Sequence, residues 1–324
     1  MEPISRIDVS ANRLYFRGHD VTELSENFDY ESVLFLLING KLPSESEHRE
    51  FIEKLINLRR YYRESISTLA VLAQKLSQIR EENQLDNLDT LLTFTSLAPL
   101  VVAQEFGNRY DHRIERPNND LGYAANFLWM TKCKVPDEKD LHDFQTSLIL
   151  HMDDPLNPSL SALSKVIHDG QSASDALLAA LATHIELLHH GAGTEAMKMF
   201  EDIRTLDNPR AYLEMRIDSG LKIFGLGHRI YQKKDPRATV LERILERRLS
   251  NTSEEWLLQV IEQVTIEGYS VLRNRKGIEA YPNIDLYNAA VYSTFGFPAE
   301  MNTKLFAVSR AAGWIAHIME LSAF

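Results

Sequence analysis

From about residue 20 onward the apolar residues recur at helical spacing, and this leaves few folds open. Strand-like alternation is confined to residues 4–18, where ISRIDVS and RLYFRG suit a small hairpin. Beyond it, amphipathic or buried helical stretches are expected at 32–38, 44–58, 65–80, 87–104, 121–130, 137–150 and 172–188. The series continues at 194–203, 208–219, 238–249, 253–272, 285–294 and 303–321. Start signals punctuate it: Ser44 with Glu47 forms a capping box, Asp137 opens a helix, and Asp235 precedes Pro236 at a first helical turn. There is no repeat, low-complexity tract or long linker. The fold class is mostly α with a small N-terminal hairpin. With 324 residues, 44% of them hydrophobic, the chain can bury a large core as one domain or two unequal ones.

The formal net charge of −11 argues against a general nucleic-acid binder, though a local cationic cluster can still hold an anionic ligand. The single cysteine, Cys133, rules out an internal disulfide and a cysteine-rich metal site. The N-terminus, MEPISRIDVS, has no apolar signal core, and the longest apolar stretch, 90–104, is too short to cross a bilayer. A cytoplasmic location is expected.

Chemistry-bearing residues concentrate in FGLGHRIYQKKDPRAT, residues 224–239. Gly225 and Gly227 allow close backbone approach, His228 follows, then Arg229, Lys233 and Lys234, and Arg237 stands at a helix start. An imidazole on a loop beside a guanidinium on a helix can polarise a carbonyl and hold a carboxylate; a solvated basic loop is the plainer alternative. His189-His190 ends an apolar helix and precedes Gly191-Ala192-Gly193. An imidazole there can donate to a developing oxyanion, or simply cap the helix. Asp285, in YPNIDLY, is a general base or an N-cap. Arg310 lies in LFAVSRAAGWIAHIMEL, where an arginine either snorkels or is held by an anion.

GLGHRIYQKKDPRA resembles the signature of the citrate synthase family, closest to the shorter bacterial and archaeal citrate and 2-methylcitrate synthases. LHHGAGTEA is similar to its LHGGANEA segment. YPNIDLYNAAVYSTFGFP, NTKLFAVSRAAGWIAHIMEL and, upstream, RLYFRGHDVTEL, GKLPSESE, YAANFLWM and LILHMDDPLNPS match in order, so the likeness covers nearly the whole chain. It implies a mostly α, two-domain homodimer: a large domain of 1–189 plus 291–324, and a small domain of 190–290 carrying the catalytic loops. It implies condensation of acetyl-CoA with oxaloacetate, as in the tricarboxylic acid cycle. Asp285 takes a proton from the acetyl methyl group, His190 stabilises the enol, and His228 polarises the ketone. Arg237 and Arg310 grip the dicarboxylate, and Gly225, Leu226 and Gly227 lie along CoA. The expected partners are these small molecules and a second copy of the chain, with no membrane, nucleic acid, metal or bound cofactor; acetyl-CoA is a co-substrate.

Three departures stand out. Where the family's HADHELNAS motif has its second histidine, this chain has Asp154. An anion there opposes a dicarboxylate by roughly 1 to 4 kcal/mol at 4 Å. The family's CoA lysine is replaced by Ile278, Glu279 or Ala280, leaving Lys276 just upstream to compensate. The sequence stops at Phe324, before the segment whose arginine reaches across the family dimer. Loss of such a clamp costs about 2 to 5 kcal/mol. The expectations are therefore a citrate synthase-type acyltransferase of weakened or altered activity, a non-catalytic paralogue acting as a binding or regulatory dimer, or a 2-methylcitrate synthase using propionyl-CoA.

Overall fold

The structure is a computed structural model that describes residues 2–185 and 191–322. It divides into two compact units. The first comprises Met1–Arg6, Tyr15–Glu186 and Lys304–Phe324; the second comprises Ile7–Leu14 and Leu187–Thr303. Residues 7–14 go with the second unit.

Three short strands, β1 (Ser5–Asp8), β2 (Arg13–Phe16) and β3 (His19–Asp20), form a sheet in that order. β2 and β3 pair antiparallel, Phe16 opposite His19, around Arg17-Gly18. Both turn residues have positive φ, 46° and 85°. That is the combination a two-residue hairpin turn needs. Arg17 holds this unusual conformation because its guanidinium donates to Leu37 O, Glu2 O and the Glu320 carboxylate. The N-terminal hairpin of the sequence reading is thus present with a third, two-residue strand added.

Among the described residues every other regular element is helical. The helices of the first unit are α1 (Val21–Asn27), α2 (Tyr30–Asn39), α3 (Glu45–Leu58), α4 (Leu69–Asn83), α5 (Asn87–Tyr110), α6 (Tyr123–Lys132), α7 (Glu138–Ile149), α8 (Pro158–His168) and α9 (Ala173–Ile185). The second unit holds α10 (Ala192–Arg204), α11 (Pro209–Asp218), α12 (Pro236–Leu249), α13 (Trp256–Lys276) and α14 (Asn288–Ser293). α15 (Asn302–Leu321) starts in the second unit and runs on in the first. Among the described residues no helix is long and apolar enough to cross a membrane.

Caps set many boundaries. The Ser44–Glu47 capping box is present in both directions, and Asp137 and Asp235 cap α7 and α12 through backbone N–H groups. Two helices escape the periodicity reading. α1 is a seven-residue helix capped by Asp20, and α8 follows the PLNPS turn, although Asn157 as N-cap and Pro158 in the first turn are ordinary start signals. The single helix expected over 285–294 is instead a 3₁₀ turn, Ile284–Leu286, followed by α14. The first unit's core centres on α5, buried from Thr90 to Gly107 on most of its faces, and on α15, where Trp314, Ile315 and Val308 are inaccessible.

Candidate active site

The two most distinctive sequence motifs of the second unit meet directly. Leu226 bridges Pro282 in antiparallel fashion. Gly227 N–H donates to Tyr281 O at 2.8 Å, Asn283 N–H to Gly225 O at 2.9 Å, and the Asn283 side chain to Gly227 O at 2.7 Å. This short ladder requires both glycines: their φ values are 82° and 85°, and a Cβ on Gly225 would lie 2.6 Å from Cα and Cβ of Leu286. The loop that carries His228 is therefore locked to the turn that carries Asp285. Gly268, in the interior of α13, makes room for the Leu226 side chain; a Cβ there would come within 2.5 Å of Leu226 Cδ1.

The loop also fixes the His228 ring. Its Nδ1 accepts from the backbone N–H groups of Ile230 and Tyr231, each at 3.1 Å. A nitrogen that accepts two N–H bonds carries no proton, so the neutral imidazole has its hydrogen on Nε2. His228 is thereby set up as an Nε2–H donor, the form that polarises a carbonyl oxygen. The Tyr231 ring packs against it with centroids 4.6 Å apart.

Asp285 is not a helix cap. The N-cap of its 3₁₀ turn is Asn283, whose side chain accepts from Asp285 N–H at 2.9 Å. The half-buried Asp285 carboxylate instead accepts from Asn288 Nδ2 at 3.1 Å. Asn288 is 1% exposed, and its own Oδ1 accepts from Ala289 N–H at 2.6 Å. Gly193, at the start of α10, is pressed against it: a Cβ there would lie 2.2 Å from Asn288 Oδ1 and 2.6 Å from Asn302 Nδ2. The glycine of LHHGAGTEA thus abuts the amide that holds Asp285. His190 itself lies outside the described residues. The sequence reading missed Asn288, whose signal was its position three residues after Asp285.

Arg237 is buried, with its guanidinium forked onto Asp235: Nε to Oδ1 at 3.1 Å and Nη2 to Oδ2 at 2.8 Å. Asp235 Oδ1 also caps α12 through Arg237 N–H, so one carboxylate sets both the helix start and the arginine's orientation. Of the residues expected along CoA, Gly225 and Gly227 spend backbone groups on the ladder. Lys276 is exposed in the last turn of α13. Arg275 beside it is engaged by Glu214 and Asp218.

The remaining expected residues are in the first unit. Arg310 is 1% exposed on α15, donates from Nε to His151 O at 2.7 Å and stacks over Phe306. His151 donates from Nδ1 to Ser147 O at 2.6 Å, which leaves Nε2 as the acceptor of its neutral ring. Asp153, also buried, accepts from Ser5 Oγ at 2.5 Å and His317 Nε2 at 2.9 Å. Burial works to raise its pKa, but His317, Arg310 and Ser5 together hold it below the usual carboxylate value. Asp154, half-buried, makes a local turn: Oδ1 accepts from Leu156 N–H at 3.0 Å, and its carbonyl accepts from Asn157 N–H, leading the chain into α8. Gly313 packs against this stretch, where a Cβ would meet Met152 O at 2.5 Å. Among the described residues no cluster of three or more His, Cys, Asp or Glu is arranged to hold a metal ion.

Known proteins resemble this chain over nearly its whole length. The family described as citrate synthase, C-terminal domain, matches residues 2–323. The citrate synthase of Haloferax volcanii is 31% identical over 98% of this chain and 88% of its own length. The citrate/2-methylcitrate synthase of Bacillus subtilis is 29% identical over the same shares. The crystal structure of citrate synthase from Thermotoga maritima superposes with a TM-score of 0.85 at 28% identity, covering 99% of this chain and 88% of that one. With a family match over nearly its full length and relatives covered almost end to end, the chain belongs to the citrate synthase family.

Proposed function

We propose that this protein is an acyltransferase that condenses acetyl-CoA with oxaloacetate to give citrate and free CoA. Asp285 removes a proton from the acetyl methyl group while His190 donates to the thioester oxygen, giving the enol. Its carbon attacks the ketone carbon of oxaloacetate as the proton at the thioester oxygen returns to His190; the ketone oxygen takes its proton from His228 Nε2, and the proton removed by Asp285 replaces it through water. Water then cleaves citryl-CoA to citrate and CoA. Arg237 and Arg310 are assigned to the carboxylates of oxaloacetate, and the Gly225–Gly227 backbone and Lys276 to CoA. The protein is proposed to work as a cytoplasmic homodimer.

The observation that carries this is the His228 ring: Nδ1 is occupied by two amide N–H groups, and the loop is laced to the Asp285 turn. A donor and a base fixed relative to one another are what abstraction from a weak carbon acid and protonation of the new alkoxide require. Free-thiol release from millimolar acetyl-CoA and oxaloacetate tests it. Turnover that disappears in Asp285→Ala is expected; wild-type release no greater than that of Asp285→Ala rules the reaction out for this substrate pair. The Bacillus relative with a dual name favours a second acyl donor, so propionyl-CoA belongs in the same assay. Release with propionyl-CoA alone moves the assignment to 2-methylcitrate synthesis. Release with neither leaves a non-catalytic, ligand-binding paralogue.

A further inference from the structure

Between His228 and Arg237 the chain crosses an exposed stretch in which Arg229, Gln232 and Lys233 all face solvent. Its beginning is fixed by the Gly225–Gly227 ladder, and its end by Asp235 N–H donating to Pro282 O at 3.0 Å. Lys234 supplies a further tie that neither of these needs. Its ammonium bonds to Glu242 Oε2 on α12, and its carbonyl accepts from Asn12 Nδ2 at 2.9 Å at the tip of the β1–β2 connection.

The other oxygen of Glu242 accepts the Tyr287 hydroxyl at 3.0 Å. Tyr287 is buried, lies two residues after Asp285, and has the Lys234 ammonium 5.3 Å from its ring centroid. Burial, and then the charge of Glu242, push the phenol well above its ordinary pKa, so it remains a donor. One carboxylate therefore joins the loop that carries His228, the helix that carries Arg237 and the turn that leads from Asp285. An exposed lysine–glutamate pair alone would contribute little. Here the same carboxylate also satisfies a buried hydroxyl, and the ammonium also lies over a ring, so breaking one contact loosens the others.

We propose that Glu242 is a positioning residue: with Lys234 and Tyr287 it forms an ionic clasp that holds the His228 loop against the Asp285 turn. The clasp bears on catalysis only if His228 and Asp285 react as proposed above, but its existence is a separate physical matter. Glu242→Ala removes the carboxylate that accepts from the Tyr287 hydroxyl and pairs with the Lys234 ammonium. Lys234→Met removes only the loop's side of the clasp. Lys234→Glu combined with Glu242→Lys restores opposite charges in reversed order.

Backbone hydrogen exchange of the free, full-length protein reads the clasp directly. Peptides covering 228–235 are expected to exchange about tenfold faster in each single variant, because that segment opens locally without global unfolding. Peptides of α11 should be unaffected, and the charge-reversed pair, which restores the 234–242 attraction but not the acceptor for Tyr287, should return part of the protection. In the thiol-release assay the single variants should lose about ten- to a hundredfold in kcat with a much smaller change in KM for acetyl-CoA, since misaligned reacting groups slow the chemistry more than binding. Unchanged exchange over 228–235 in both single variants, or a reversed pair no better protected than either, overturns the clasp. If the wild type releases no thiol, the proposed reaction falls while the exchange pattern still decides whether the clasp exists.

Discussion

At position 285 the sequence allows a carboxylate two uses, capping a helix or taking a proton, and the first is taken by a neighbour. Asn283 has taken the cap, and Asn288 donates to the carboxylate it leaves behind. Asn288 can hold that angle because it is packed between its own helix and Gly193. A hydrogen bond to a charged group contributes about 1.5 to 3 kcal/mol, enough to hold the direction in which a carboxylate points. Asn288→Ala should therefore lower kcat by about ten- to a hundredfold, with KM for oxaloacetate nearly unchanged. A kcat within twofold of wild type, from a variant that melts normally, would show that the amide does not serve the base. Position 288 does not stand out in the sequence because it falls inside the single helix expected over 285–294, and its partner depends on the break at Tyr287.

Among the elements, α6 shows how a helix start can be supplied from elsewhere in the fold. Gly122 precedes it and offers no side-chain cap. Instead Glu31, buried in the first turn of α2, accepts from Tyr123 N–H at 2.6 Å, while the Tyr30 and Tyr123 rings stack 3.9 Å apart. Burial, and then Asp29, push the Glu31 carboxyl above its ordinary pKa, with the Tyr123 amide and Arg59 pulling the other way. The glycine is there because a Cβ would sit 2.5 Å from Glu31 Oε1. Gly122→Ala should destabilise the protein by about 1 to 3 kcal/mol in urea unfolding, through the collision and the weakened cap. Because the clash needs Glu31, the same substitution in a Glu31→Ala background should cost much less. Equal costs in both backgrounds would assign the loss to backbone conformation instead.

Over the whole molecule, the legible parts were those written in local chemistry. The caps at Ser44, Asp137 and Asp235 and the buried stretches of α5 and α15 follow from a few neighbouring residues, and periodicity carries the mostly α class. The Gly225 ladder could be suspected from two glycines, but not its partner, because Tyr281 and Asn283 are remote in sequence. Asp154 was expected to oppose a dicarboxylate, and its local turn with Leu156 is a use that substrate chemistry could not reveal. Charge is the property left to settle at this scale. The chain carries −11 overall, yet the segment around His228 and the end of α13 bring exposed Arg229, Lys233, Arg273 and Lys276 to the second unit. At physiological salt, charges beyond about 8 Å are screened, so a highly anionic acyl-CoA responds mainly to whichever charges lie next to it. If those are these cations, raising sodium chloride from about 20 to 200 mM should increase KM for acetyl-CoA several-fold, as attraction is screened. A KM that falls with salt would mean that the net negative charge of the protein governs the encounter and that CoA docks away from these side chains.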